Sequence, residues 1–341
     1  MRIYIHRESK YWLLFDEKYG KQYRIGFTDE PYFSCEGPEL LDISITNYCE
    51  KKCSFCYRKS SEKGKHMPIK LYEKILKQAS ECGVLQIALG GGNPNQHPQF
   101  PEILCLTRKY GIVPTYTTNG YGMTEEIYMS TKKYCGAMAV SFYDPLDNLQ
   151  KVVRKCKEYG IKLNIHFVLD RKSIETAIKL LTNPPLWIKE VNAIIFLNYK
   201  PVNGDIENCL NMSDKLELFW EAIMQFNSCK IGFDSCMISF VKNIVDKICV
   251  ESIDFCEAAR FSAFINEEGI MYPCSFMNDL EYVLGQSLAS DTLRNIWING
   301  TDFVEYRKML LHKENKNCLD CGWFKECHGG CRTFPINKCY R

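Results

Sequence analysis

The sequence has little of what marks a membrane, secreted or nucleic-acid-binding protein. It contains no run of about 18 apolar residues, which excludes a transmembrane helix. The N-terminal stretch MRIYIHRESKYWLLFDEK has charges inside its apolar part and no small-residue cleavage site, so it does not read as a signal peptide. Neither sign of charge dominates: 43 basic and 41 acidic residues leave a formal net charge of +2. That argues against a nucleic-acid partner held by bulk electrostatics. Low-complexity segments and long linkers are also missing. The 341 residues, 46% of them apolar, allow one large domain or one large and one small.

Cysteine is what the chain has in excess, with 19 residues. Without an export signal the expected compartment is the reducing cytoplasm, where a disulfide framework does not persist. Tight cysteine clusters then point to metal. Three cysteines fall at 49 to 56 and seven between 256 and 339. The other nine are scattered and read as small buried hydrophobes.

Residues 1 to about 34 read as short strands with turns: RIYIH, YWLLF and YRIGF. From residue 40 apolar strand-like runs alternate with helix-length segments. The strands are LLDISIT (40–46), LQIALGGG (85–92), VPTYTTNG (113–120), GAMAVSFY (136–143), IKLNIHFVL (161–169) and EVNAIIFLNY (190–199). Helices are expected at 68–83, near 98–110, near 124–133, at 147–160 and near 173–182. Such alternation indicates a parallel sheet, open or curled into a partial barrel, with its site at the carboxyl ends of the strands. The polar and glycine-rich motifs fall at those ends. A further helix fits 213–227, and KIGFD (230–234) reads as a strand. The last 86 residues are rich in cysteine and loops. The expected domains are a β extension (1–36), a barrel (37–235) and a bridging region plus cluster domain (236–341).

The stretch TNYCEKKCSFCYR spaces Cys49, Cys53 and Cys56 as C-x3-C-x2-C directly after the first barrel strand. A closed zinc site needs four ligands, so zinc here requires a distant fourth, with His66 nearby. A four-iron cluster on three thiolates instead leaves one iron open.

The motif, with Phe55 before the third cysteine, resembles the radical S-adenosylmethionine (SAM) superfamily. The resemblance implies a partial (β/α)6 TIM-like barrel. It implies that Cys49, Cys53 and Cys56 hold a 4Fe-4S cluster whose open iron is chelated by SAM. One-electron reduction then yields a 5′-deoxyadenosyl radical that abstracts a substrate hydrogen, chemistry that the protein orients and shields. The glycine turn Gly90-Gly91-Gly92-Asn93 stands where relatives contact the SAM amino group, with Asn93 in place of an acidic residue. Its side-chain carbonyl can accept from an ammonium, without charge assistance. Thr118, Asn119 and Ser141 occupy other SAM-contact positions; strand-end capping is the alternative. Asn164 and His166 alternate to one face of their strand, toward the barrel mouth or a hydrogen-bonded core.

The tail reads Cys256-x12-Gly269-x4-Cys274, then Cys318-x2-Cys321-x5-Cys327-x3-Cys331, then Cys339. This resembles the seven-cysteine SPASM pattern of radical SAM enzymes. The resemblance implies that Cys318, Cys321, Cys327 and Cys339 close one auxiliary 4Fe-4S cluster. Cys256, Cys274 and Cys331 hold another, with the fourth ligand Cys249, Cys236, substrate or water. Two zinc sites, with His328 as the eighth ligand, are the alternative. Cys236 is also a candidate hydrogen-atom donor to a substrate radical; a cluster ligand or a buried thiol are its other readings.

The resemblance implies a peptide or protein substrate and a flavodoxin- or ferredoxin-type electron donor. The expected outcome is a cross-link, an oxidation or an epimerisation. Only 48 residues precede Cys49 and they read as strands, so no full leader-binding domain is expected. The β extension either pairs with an extended peptide or caps the barrel. A small-molecule substrate and a SAM-inactive iron–sulfur electron-transfer protein are the competing functions.

Overall fold

The computed structural model describes residues 1–27, 32–211, 213–241, 254–278, 280, 282–312, 316–334 and 336. The N-terminal strands β1 (Arg2–His6), β2 (Tyr11–Asp16) and β3 (Lys21–Gly26) form an antiparallel sheet in the order β1-β2-β3. One face of it buries Tyr11, Leu13 and Phe15 against Leu85, Val113 and Phe261. The other leaves Ile3, Ile5, Trp12, Tyr23 and Ile25 exposed. Leu85 and Val113 lie at the amino ends of barrel strands, so the extension caps the barrel end opposite the cysteine loop.

The barrel alternates as the sequence predicts. Its elements are β4 (Leu40–Thr46), α1 (Ile69–Glu81), β5 (Gln86–Gly91), α2 (Phe100–Lys109) and β6 (Val113–Thr118). Then come α3 (Glu125–Tyr134), β7 (Ala137–Ser141), α4 (Asp147–Tyr159), β8 (Leu163–Leu169), α5 (Ile174–Thr182) and β9 (Ala193–Asn198). Helix signals sit where the chemistry asks for them. Thr124 caps α3 by accepting from the Ile127 amide, ahead of Glu125 and Glu126. α4 buries Leu149, Val152, Val153 and Cys156, one face at helical spacing, and stops at Gly160 with φ of 61°.

Strands β4 to β9 run parallel, and β10 (Lys230–Phe233), which follows α6 (Asp214–Gln225), extends them beside β9. On the other side β11 (Ser262–Ile265) pairs parallel with β4. The antiparallel strands β12 (Ile270–Tyr272) and β13 (Gln286–Ser287) follow, giving the order β10-β9-β8-β7-β6-β5-β4-β11-β12-β13. The cysteine-rich tail thus shares the barrel's sheet.

Register separates two faces. Leu41, Ile43, Ile87, Leu89, Val140, Ile165, Phe167 and Phe196 are almost wholly buried under the helices. Full burial of such a side chain stabilises by about 1.5–3 kcal/mol. The opposite face pairs Ser44 with Gly90, Thr117 with Ala139, and Ser141 with His166. These small or polar residues line the lumen.

Candidate active site

β4 ends at Thr46, and the chain that follows closes on itself. Thr46 bridges His66 and Tyr48 bridges Ser61. Thr46 Oγ1 lies 2.8 Å from His66 Nδ1, which commits that histidine to the loop. A Cβ on Gly64 would lie 1.8 Å from the Asn47 carbonyl oxygen, so the closure requires glycine. Cys49, Cys53 and Cys56 sit inside this closed loop. The Cys56 amide donates to the Cys53 carbonyl at 3.1 Å. Donors aim at the sulfurs: Asn119 Nδ2 lies 3.5 Å from Cys49 Sγ. Ser141 bonds to Tyr143, which bonds to Cys53. Lys51 Nζ stands 4.3 Å from the centre of the Tyr143 ring. Burial pushes the Cys49 and Cys53 thiols up, and Lys51 opposes this at Cys53.

The glycine turn locks onto the start of this loop. The Gly92 amide donates to Thr46 O at 2.6 Å, and the Asn93 amide to Tyr48 O at 2.8 Å. Gly91 has φ of +112°, and a Cβ there would meet Thr46 O at 2.0 Å. A Cβ on Gly92 would meet Tyr48 O at 2.0 Å. Gly90 stays open toward the lumen, where Asp42 Oδ1 would stand 3.6 Å from its Cβ position. Asn93 is 1% exposed. Its Oδ1 accepts from Thr118 Oγ1 at 3.0 Å and from the Asn119 amide at 3.2 Å. Its Nδ2 donates to Tyr121 O at 3.1 Å. The Asn119 amide is an obligate donor and the Tyr121 carbonyl an obligate acceptor, so the side-chain orientation is fixed. The carbonyl expected to accept from an ammonium is turned toward the Asn119 amide and the Thr118 hydroxyl, whose one hydrogen it shares with Asn95. Thr118, also buried, reaches Asn95 as well, at 2.5 Å.

Three charged lumen groups went unnoticed in the sequence. Arg58, 4% exposed, donates to Glu267 at 2.6 Å, and Ser44 reaches the same carboxylate at 3.0 Å. Asp42 faces the lumen, and burial raises its pKa to about 7 against the pull of Arg58. The one available signal was an acidic residue inside the apolar run LLDISIT. His166 approaches Thr117 Oγ1 at 3.3 Å, and burial lowers its pKa to about 4, so it is neutral. Asn164 accepts from Asn192 at 2.7 Å.

In the tail the fold gathers thiols far apart in sequence. Cys236 follows β10 and donates its S–H to Cys331. Cys256 and Cys274 neighbour both. Tyr306 OH lies 3.7 Å from Cys256 Sγ. Burial, with Cys236 adding to it, pushes the Cys256 thiol up to about 11. Lys200 is buried beside this group, 2.7 Å from Asp234 and 4.7 Å from the centre of the Phe276 ring. Cys318 lies on the helical turn α10 (Lys316–Leu319), Cys327 ends α11 (Phe324–Cys327) and Cys321 lies between them; these turns follow α7 (Ile238–Val241), α8 (Leu293–Asn299) and α9 (Thr301–Leu311). His328, Gly329 and Gly330 then take left-handed φ values of 46°, 81° and 71°. His328 stacks on Phe255 at 3.8 Å and its Nδ1 meets the Leu310 carbonyl at 3.2 Å. Cys249 and Cys339 lie outside the described residues. Among the described residues no three His, Cys, Asp or Glu side chains meet closely enough to hold one ion.

Residues 43–182 match the model of the Radical SAM superfamily, and residues 256–322 match that of the SPASM iron-sulfur cluster-binding domain. The chain thus carries a Radical SAM domain followed by a SPASM iron-sulfur cluster-binding domain. It is 29% identical over 144 residues to a probable GTP 3′,8-cyclase of Pyrococcus abyssi, covering 37% of this chain and 46% of that one. It is 22% identical to the PqqA peptide cyclase of Xanthomonas oryzae, over 86% of this chain and 83% of that one. The chain spans about half the length of the first curated relatives it matches, 46% and 58%. In fold it is similar to Streptococcus suis SuiB bound to S-adenosylmethionine, with TM-score 0.69, 22% identity, and coverage of 87% of this chain and 73% of that one.

These domains bring 4Fe-4S clusters and SAM as cofactors. The residues present suit such groups, since buried thiols with N–H and O–H donors aimed at sulfur are what thiolates on a cationic iron core require. Among the described residues no helix is long and apolar enough to cross a membrane.

Proposed function

We propose that this enzyme cleaves SAM reductively and uses the resulting radical on a ribosomal peptide or protein residue. The observation that carries the reading is the three-thiol loop, clamped by the glycine turn over a polar lumen. Cys49, Cys53 and Cys56 would hold the SAM-binding cluster. When bound and reduced, that cluster supplies the electron that splits SAM into methionine and a 5′-deoxyadenosyl radical. Gly90, Gly91 and Gly92 offer backbone to the amino-acid end of SAM, with Asn119 and Ser141 beside it. Asn93 and Thr118 serve by holding the two turns together. The lumen groups Asp42, Thr117 and His166 face the substrate. Cys318, Cys321 and Cys327, with Cys339, would hold one auxiliary cluster, and Cys256, Cys274 and Cys331 another.

A peptide substrate is favoured because similarity to the PqqA peptide cyclase runs through 86% of the chain, tail included. Similarity to the probable GTP 3′,8-cyclases covers 37% and 49% of the chain. SuiB, which shares the fold, has been solved with its precursor peptide SuiA. The electron donor is of flavodoxin or ferredoxin type, and the compartment is the cytoplasm, where reduced thiols persist.

The test uses anaerobically reconstituted protein. Iron per chain is measured, then 5′-deoxyadenosine release with dithionite, with and without peptides encoded beside the gene. Release that a peptide stimulates, with a change in peptide mass or uptake of solvent deuterium, supports the reading. Clusters without SAM cleavage would reduce the protein to an iron–sulfur electron carrier. Stimulation by nucleotides alone would move the substrate to small molecules.

A further inference from the structure

Cys236 sits apart from the tail in sequence, 20 residues before Cys256. In space it belongs with the tail. Its thiol donates to Cys331, and Cys256 and Cys274 lie beside both. Phe334 and Ile336 pack around it together with Tyr199. The barrel fixes its backbone. Asn198, at the end of β9 and 2% exposed, donates Nδ2 to the Cys236 carbonyl at 2.9 Å. Asp234, two residues earlier, accepts from the Asn198 amide at 3.2 Å and pairs with the buried Lys200.

We infer that Cys236 is the fourth ligand of the auxiliary cluster held by Cys256, Cys274 and Cys331, so that this cluster has no open iron. The inference rests on the reading that the tail holds 4Fe-4S clusters. Three considerations support it. Four thiols from three separate segments have no reason to be neighbours in a protein interior unless something binds them, because each is a weak hydrogen-bonding group better replaced by carbon; no three of them meet closely enough to hold one ion, and a four-iron core spaces its thiolates more widely than one ion does. The Lys200 ammonium, buried beside them, offsets the negative charge that four thiolates add to an iron–sulfur core. And Cys236 packs between Phe334 and Ile336 of the tail and Phe55, Val168 and Tyr199 of the barrel, the place that a ligand joining the two would take.

The functional consequence concerns what the auxiliary cluster can do. With four protein ligands it cannot bind a substrate heteroatom at iron, so its remaining use is to exchange electrons and to fasten the tail to the barrel. One ligand comes from the end of β10 and three come from the tail, so the cluster bridges the two.

The experiment removes the SAM-binding cluster first. The Cys49→Ala, Cys53→Ala, Cys56→Ala triple variant is reconstituted, and Cys236→Ala, Cys236→Ser and Cys249→Ala are added to it singly. Iron content and the electron paramagnetic resonance spectrum of the dithionite-reduced protein are recorded, with and without cyanide as a probe of open iron. The parent should hold about eight irons, two four-iron clusters, with a spectrum that cyanide leaves unchanged. Cys236→Ala should lose about half of the iron or become sensitive to cyanide. Cys236→Ser should keep iron with shifted g values, since oxygen replaces sulfur, and this distinguishes lost ligation from lost folding. Cys249→Ala should behave as the parent does. Two results would overturn the inference alone: a parent already sensitive to cyanide, or a Cys236→Ala spectrum and iron content identical to the parent. A parent with no four-iron cluster would instead sink the reading on which it rests.

Discussion

The loop of Cys49, Cys53 and Cys56 and the thiols of the tail differ in what holds them. The loop is fixed by protein alone: a Thr46–His66 bridge, three glycines pressed on backbone carbonyls, and strands whose other face is buried under helices. Its thiols can wait for a cluster. Among the described residues around Cys318, Cys321 and Cys327 there are the short helical turns α10 and α11 and a run of three left-handed residues. Few large side chains among these described residues are buried, and a segment with so little apolar burial draws its folding energy from whatever its cysteines bind. The lesson is that one chain can prepare one metal site before metal arrives and depend on metal to finish another.

The sharpest way to break this contrast is to remove iron. Anaerobic chelation should leave amide exchange in β5 to β8 nearly unchanged, while residues 316–334 lose protection and become the first site of proteolytic cutting. Equal protection of both regions would contradict it. Next in size is Gly92→Ala. With a Cβ 2.0 Å from the Tyr48 carbonyl, the loop must move, at a cost of about 2–4 kcal/mol. Denaturant melts of the iron-free protein should show that loss, and SAM cleavage should fall with it. Unaltered cleavage would mean that the glycine turn does not set the loop.

His166 tests whether the lumen is as dry as its walls suggest. Its folded pKa of about 4 lies below the unfolded value near 6.5. The unfolded chain therefore binds the extra proton first as pH falls. Stability supplied by the neutral ring is complete above about pH 6.5 and is lost progressively down to about pH 4, by roughly 3 kcal/mol. His166→Gln should flatten that part of the pH–stability curve for the iron-free protein. A curve that His166→Gln leaves unchanged would show a wetter lumen. The smallest effect is expected at Asn119. Losing its N–H toward Cys49 Sγ in Asn119→Ala should lower the potential of the first cluster by on the order of 50 mV, about 1 kcal/mol for one electron. Redox titration followed by electron paramagnetic resonance measures it. No shift would mean that the contact does not persist on the loaded cluster.

Much of the fold was legible because its signals are local. The strands LLDISIT and LNIHFVL, the cap at Thr124 and the stop at Gly160 each carry their meaning within a few residues. The β extension was legible for the same reason. Less visible was the inner face of the sheet. LLDISIT looks continuously apolar, yet Asp42 and Ser44 point into the lumen while Leu41 and Ile43 meet the helices. The partners of Asp42, Ser44 and Arg58 were hidden, because Glu267 lies 209 residues from Arg58 and no spacing rule joins them. The partners of Asn93 were hidden for the same reason: Thr118 and Asn119 are 25 and 26 residues away.

The sequence by itself determined the alternation of strand and helix, the three-thiol loop after the first barrel strand, and the seven cysteines of the tail. These depend on side-chain periodicity, on backbone freedom at glycine and on spacing along the chain, which are properties of neighbouring residues. Tertiary structure alone decided that the tail continues the barrel's sheet through β11 and β4, that the glycine turn clamps the cysteine loop, and that Cys236 joins Cys256, Cys274 and Cys331. Each of these joins segments separated by tens to hundreds of residues. Such contacts form only when burial of the whole apolar face outweighs the entropy of closing the long loops between them.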